Sequence, residues 1–178
     1  MTEPTPKRLH IIGRKNSGKT TLIVELVTEL TRQGYRVGTI KHTHHNHELD
    51  TPGKDSHRHR EAGSAAVGIL TNGMNAIFWP KPGIQSENGQ PNSQKYQQFD
   101  SMMGDCDIVL VEGDSKTSST KIEVYRAENG TEAIAASDET IHAVVTDDHL
   151  EIDAIIWKRN DLTAIVRNIE ELMQLTKA

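Results

Sequence analysis

The segment GRKNSGKT, residues 13–20, has the spacing G-x-x-x-x-G-K-[ST], which is built to hold nucleotide phosphates. Gly13 and Gly18 permit a tight backbone path. The N–H groups between them, including those of Asn16 and Ser17, then point at anionic oxygens, together with the N-terminus of the following helix. Lys19 is expected to reach the β- and γ-phosphates, and Thr20 to ligate Mg2+. The bland reading is a glycine-rich turn before an ordinary helix. The apolar run before the segment and the helical periodicity after it favour the phosphate site.

A site of this kind needs a second acid for its metal at the carboxyl end of a neighbouring strand. IVLVEG, residues 108–113, supplies Glu112 there, on the edge of an open α/β sheet where ligands bind. Asp107 starts the same strand, so it sits at the far end with a structural or solvated role.

KHTHHNHELDTPGKDS, residues 41–56, is the third candidate. Three readings compete. His42, His44, His45 and His47 have the chemistry of metal ligands, but no second ligand pair stands at a defined distance. His57 and His59, two apart on a helix, do not face one way. The stretch can equally be a solvated polar loop. It can also be a nucleotide-responsive loop that brings Lys41, Asp50 and Asp55 near phosphates or Mg2+. His42 and Asp55 are the candidates to position a water for hydrolysis. Neither is a clear general base, so slow turnover is expected.

The elements that must position these residues are legible as periodicities. Arg8–Ile12 predicts a first strand. Leu22, Leu26 and Leu30, with Ile23 and Val27, predict a helix over Thr20–Arg32 that stops at Gly34. Arg36–Lys41 reads as a strand and Asp55–Ala62 as a short helix. Ala65–Thr71 and Asn75–Trp79 read as strands around an Asn72-Gly73 turn. Lys81–Gln94 reads as an exposed loop, Gln94–Met103 as a helix, and Asp107–Val111, Lys121–Tyr125 and Ile141–Val145 as strands. Leu162, Ile165, Val166, Ile169, Leu172 and Met173 share one face of a C-terminal helix, with Asn160 or Asp161 as its cap. Alternating strands and helices predict an α/β fold with a largely parallel sheet, and adjacent strands in the middle predict some antiparallel pairing.

The bulk properties set the frame. The chain has 178 residues, 35% of them apolar and 25% charged, enough for one core in a single domain over 8–178 behind a flexible tail at 1–7. The net charge of −5 without a basic run argues against a general nucleic-acid surface. The lone Cys106 fits a reducing compartment, as an inert thiol beside a buried strand. With neither a signal peptide nor a long apolar run, the expectation is a cytoplasmic protein that does not enter membranes.

GRKNSGKTTL, then IKHTHH, DTPGKDS, REAG and LVEG, in that order over about Leu9 to Val145, resemble the MobB family. The KHTHH and PGKDS pair at this spacing carries most of the resemblance. It implies a P-loop NTPase three-layer fold, α/β with a mostly parallel sheet and some antiparallel strands, in a family whose members often dimerise. It implies GTP bound with Mg2+, slow hydrolysis, and work beside the MobA guanylyltransferase, which attaches GMP to the molybdenum-bound pterin. Matched by position, Gly13, Gly18, Lys19, Thr20 and Thr21 fall in the nucleotide loop and Lys41, His42, Thr43, His44 and His45 in the second motif. Asp50, Pro52, Gly53, Lys54, Asp55 and Ser56 fall in the third, and Glu112-Gly113 in the fourth. One departure stands out. The family usually continues Glu-Gly with Phe-Lys, whereas here Asp114-Ser115 follow and the lysine is Lys116.

Base recognition is less specific. N-K-x-D is absent, and VVTDD, residues 144–148, offers Thr146, Asp147 or Asp148 at a strand end as acceptors for a guanine amino group or as a plain polar turn. The expected function is a GTP-binding adaptor of molybdenum-cofactor maturation, a homodimer partnering a MobA-like guanylyltransferase and molybdopterin-handling enzymes. Its metal ligands would be Thr20, Glu112 and Asp55. The rivals are a small-molecule kinase on the same loop and a metallochaperone GTPase using the histidines.

Overall fold

The first strand, β1 (Lys7–Ile12), begins one residue before the expected start and runs between β5 (Ile108–Glu112) and β6 (Lys121–Val124), parallel to both. The computed structural model describes residues 6–43, 47–79 and 94–176. With β2 (Val37–Lys41), β7 (Ile141–Val145) and β8 (Ile156–Trp157), these strands form a parallel sheet of order β2-β5-β1-β6-β7-β8. Every parallel pair needs a crossover, and the crossover after β1 is α1 (Lys19–Arg32). The chain divides into two compact units, one of Met1–Thr43 with Pro91–Ala178 and one of His44–Gln90.

Strand residues alternate between faces. In the first unit, Leu9, Ile11, Ile108, Leu110, Ile122, Val124, Ala143 and Val145 pack against Leu22, Leu26 and Leu30 of α1. Ile165, Val166 and Ile169 of α4 (Leu162–Leu172) complete that core. The opposite face buries Val109 and Val111 against Tyr96, with Ile40, Met103 and Cys106 beside them. Tyr96 ends a 3₁₀ turn, Gln94–Tyr96, that leads into α3 (Gln97–Met103). The sheet thus lies between helical layers, and β5 is apolar from Ile108 to Val111 because both its sides are covered. Cys106 sits where the sequence places it, and burial pushes its thiol up and away from reactivity.

The second unit holds α2 (Asp55–Glu61) and an antiparallel pair, β3 (Val67–Leu70) and β4 (Asn75–Phe78), joined by a turn in which Thr71 N donates to the Met74 carbonyl. Ahead of α2, Asp50 accepts from the Thr51 N–H and the Ser56 hydroxyl, and Glu48 takes the Arg60 guanidinium at 2.6 Å.

Asp161, not Asn160, caps the C-terminal helix, accepting from Ala164 N at 2.9 Å. The expected loop over Lys81–Gln94 lies outside the described residues except for Gln94, which already belongs to the turn before α3. His44 and His45 also lie outside them. The strand β8 was not expected.

Candidate functional site

Gly13–Thr20 joins β1 to α1 at the carboxyl edge of the sheet. Gly13 has φ +141°, and a Cβ there would lie 2.3 Å from the Val124 carbonyl oxygen and 2.7 Å from Ser17 Oγ. Only glycine allows the loop to press this closely on β6. Asn16 sits at φ +62°, a conformation that asparagine tolerates better than most side chains. Gly18, at φ +94°, precedes the first turn of α1, and no side chain caps that helix end. Its N–H groups therefore stay open to an anion, as does the positive end of the helix dipole.

Lys19 folds back over the loop, its Nζ donating to the Arg14 carbonyl at 2.6 Å. Burial lowers its pKa, as does the nearby Lys41, against the opposing pull of Glu112. Thr20 Oγ1 donates to Glu112 Oε1 at 2.9 Å. Glu112 pairs in register with Lys41 across β5 and β2, and the Lys41 ammonium lies 3.6 Å from Glu112 Oε1. The structure thus brings together four expected residues: Lys19, Thr20, Lys41 and Glu112. Thr20 and Glu112 place a hydroxyl and a carboxylate oxygen side by side. This hard oxygen pair fits Mg2+. Thr21, also exposed, lies in the same helical turn.

His42 leaves β2 one residue later. Its N–H donates to the Glu112 carbonyl, and its backbone oxygen lies 3.0 Å from where a Gly113 Cβ would be. The charges it feels include Asp114 and His10, which belong to the opposite face of the sheet.

The departure at Asp114 has a structural purpose on that face. Its φ is +62°, its side chain is 5% exposed, and its Oδ2 accepts from the Tyr96 hydroxyl at 2.7 Å. Lys95 Nζ lies 3.4 Å from the same oxygen. Burial works to raise the Asp114 pKa, but the Tyr96 hydroxyl and the Lys95 and His42 charges outweigh it and hold it below the usual carboxylate range. Burial and Asp114 push the Tyr96 phenol up. His10 stacks edge-on to Tyr96, with ring centroids 5.3 Å apart, and is wholly buried. Its ring nitrogens are sealed from solvent, with the Gly113 backbone within their reach. Burial lowers its pKa from 6.5 to about 4, against the pull of Asp114 and the Gly113 backbone.

The candidates for base contact sit at the end of β7. Thr146 is buried, and its Oγ1 accepts from Asp148 N at 3.0 Å. Asp147 Oδ1 accepts from Asn160 N at 3.0 Å, and Asp148 Oδ2 from Ala127 N at 2.7 Å. These bonds tie the ends of β6, β7 and β8 into one rigid corner. Asp55 belongs to the second unit, where it opens α2 with an exposed side chain. Among the described residues no group of three or more His, Cys, Asp or Glu is arranged to hold a metal ion. No helix there is long and apolar enough to cross a membrane.

Comparison with known proteins decides the family. Residues 8–147 match the profile of MobB, described as molybdopterin guanine dinucleotide synthesis protein B. The chain belongs to the MobB family. It is 42% identical over 164 residues to the molybdopterin-guanine dinucleotide biosynthesis adapter protein of Haemophilus influenzae, covering 91% of this chain and 86% of that one. The adapter protein of the same name from Escherichia coli is 31% identical over 160 residues, with 89% and 88% covered. A crystal structure of molybdopterin-guanine biosynthesis protein B superposes with a TM-score of 0.67 at 26% identity, covering 93% of this chain and 99% of that chain. The mostly parallel six-stranded sheet with its small antiparallel pair is thus the P-loop NTPase architecture of MobB structures. The MobB match includes every motif residue above, and it ends at Asp147, before α4.

Two groups escaped the sequence reading. His10 reads there as one more strand residue, because nothing local shows which strand face carries a buried cluster. Arg126 has no motif, and its only signal is its place just beyond β6, the strand that the phosphate loop touches.

Proposed function

We propose that this MobB chain is a GTP-binding adaptor in molybdopterin guanine dinucleotide synthesis, assisting a MobA-like guanylyltransferase and molybdopterin-handling enzymes. The observation that carries the reading is the cluster at the sheet edge. An open helix N-terminus, Lys19 and Lys41 face the Thr20–Glu112 pair. The triphosphate would lie along Gly13–Thr20, with Asn16, Ser17 and Gly18 offering backbone N–H groups and Thr21 reaching the phosphate nearest the ribose. Thr20 and Glu112 would hold Mg2+. The bound ion supplies neutralisation of phosphate charge. A guanine product in the relatives' names supports GTP over ATP, with Thr146 and Asp147 at the base end.

Hydrolysis is slow in this reading. His42 shares its electrostatic environment with Asp114 and His10, and Asp55 lies on the second unit. A homodimer is supported by the second unit itself. An isolated two-stranded sheet is marginal in water, and Leu70, Met74 and Ile77 leave its apolar surface exposed. Light scattering should give twice the chain mass, and a monomeric mass removes that part. Calorimetric titration with GTP and Mg2+ tests the site: Lys19→Ala should abolish binding, and an unchanged affinity would sink it. Capture of a molybdopterin-handling enzyme by nucleotide-loaded protein tests the adaptor role, and capture that needs no such enzyme in the extract argues against it.

A further inference from the structure

The guanidinium of Arg126 lies against the phosphate loop, its Nε–Nη2 edge toward Gly18. A Cβ on Gly18 would meet Nη2 at 3.2 Å, Nε at 3.4 Å and Cζ at 3.5 Å, so three atoms of the planar group are nearly equidistant from that point. Gly18 is the residue directly before Lys19, in the turn where the loop becomes α1. A larger residue there would displace the arginine.

The stem of Arg126 is fixed on both sides. Tyr125 N donates to the Val145 carbonyl, and Asn129 N donates to the carbonyl of Arg126 itself. Between them, Ala127 N donates to Asp148 Oδ2. Arg126 therefore sits between the phosphate loop and the Thr146–Asp148 turn, where a nucleotide would pass from its phosphates to its base. The close approach of Gly13 to the Val124 carbonyl holds β6 at a set distance from the loop, so this position does not depend on side-chain packing.

The head group is weakly committed. Arg126 Nη1 lies 3.1 Å from Glu128 Oε1, with the side chains 46% and 71% exposed. Exposed pairs of this kind contribute little. Among the described residues Nε and Nη2 make no hydrogen bond, so one edge of the fork is open. A guanidinium binds phosphate oxygens in pairs, with a geometry that a lysine cannot copy.

We propose that Arg126 is a phosphate-binding residue of this site, exchanging Glu128 for the oxygens of a nucleoside di- or triphosphate. The proposal rests on the nucleotide-binding reading above, and it adds to Lys19 and Lys41 a third cationic side chain, from the segment just beyond β6. Glu128 acts as a stand-in anion that keeps the guanidinium over the loop until phosphate arrives.

The test titrates the full chain with GTP, GDP and inorganic tripolyphosphate. Arg126→Ala should weaken the di- and triphosphates by roughly 10- to 100-fold, the effect of losing a charged hydrogen-bonding group. Arg126→Lys should recover only part of the loss, and Glu128→Gln should tighten binding a few-fold. The melting temperature should hold in all three variants, because both side chains are exposed. Wild-type affinity in Arg126→Ala for both GTP and tripolyphosphate overturns the assignment, and so does full rescue by lysine. If the wild type binds tripolyphosphate but no guanine nucleotide, the GTP reading fails while the tripolyphosphate arm still decides Arg126. If it binds neither, both are overturned.

Discussion

Replacing His10 by leucine should remove an acid-sensitive fault line in the sheet. His10 is wholly buried on β1, between Tyr96 and the loop that carries Gly113 and Asp114. Burial lowers its pKa to about 4, aided by the Arg8 and His42 charges and opposed by Asp114 and the Gly113 backbone. An unfolded chain takes up a proton at this histidine as pH falls through about 6.5, whereas the folded chain waits until about 4. Between those values the unfolded state binds more protons, so stability drops as pH drops, at about 1.4 kcal/mol per unit. The window spans about 2.5 units, so roughly 3 kcal/mol of stability, a large part of a typical total, is lost between pH 6.5 and 4. Urea unfolding between pH 4 and 8, followed through Trp157 in a Trp79→Phe background, gives the comparison. The wild-type curve should fall away from the His10→Leu curve by about 3 kcal/mol over that window. Parallel curves, or a His10 ring that titrates near 6.5 by NMR, would refute the reasoning.

Asp114→Ala should cost about 2–4 kcal/mol, because the buried Tyr96 hydroxyl and Lys95 lose their shared acceptor. Asp114→Asn should cost less, since it keeps an acceptor and tolerates the positive φ; equal losses by chemical denaturation would contradict this role. The depressed Asp114 pKa adds stability above about pH 4 that is lost as pH falls further, and Asp114→Asn should flatten that acid limb. Glu112→Gln should weaken Mg2+-dependent GTP binding by roughly 10- to 100-fold while sparing metal-free binding. A uniform loss with and without Mg2+, measured by titration calorimetry, would place Glu112 outside the metal site.

What the sequence made legible was local. The Gly13–Thr20 spacing, the apolar run into Glu112 and the leucine ladder of α1 are each encoded within a few residues. Strand parity then puts Glu112 on the α1 face, where Thr20 reaches it. Asp114 stood out only as a departure, because its partners Tyr96 and Lys95 come from a turn 18 and 19 residues earlier in the chain. Thr146 was visible as a strand-end residue, but its burial depends on how β7 and β8 meet. The two-residue β8 had no periodicity to reveal it. Arg126 was silent for the same reason: it owes its place over Gly18 to the parallel pairing of β1 with β6, which join distant segments.

The most direct test is calorimetric titration of GTP with Mg2+ into the wild type and into Lys19→Ala, with ATP as the control. Lys19 covers the loop through the Arg14 carbonyl and is the residue whose charge the triphosphate should claim. Saturable GTP binding by the wild type, weaker ATP binding, and no measurable heat with Lys19→Ala are the expected results. Equal GTP affinity in the two proteins, or a wild type that ignores GTP, would contradict a nucleotide site on Gly13–Thr20.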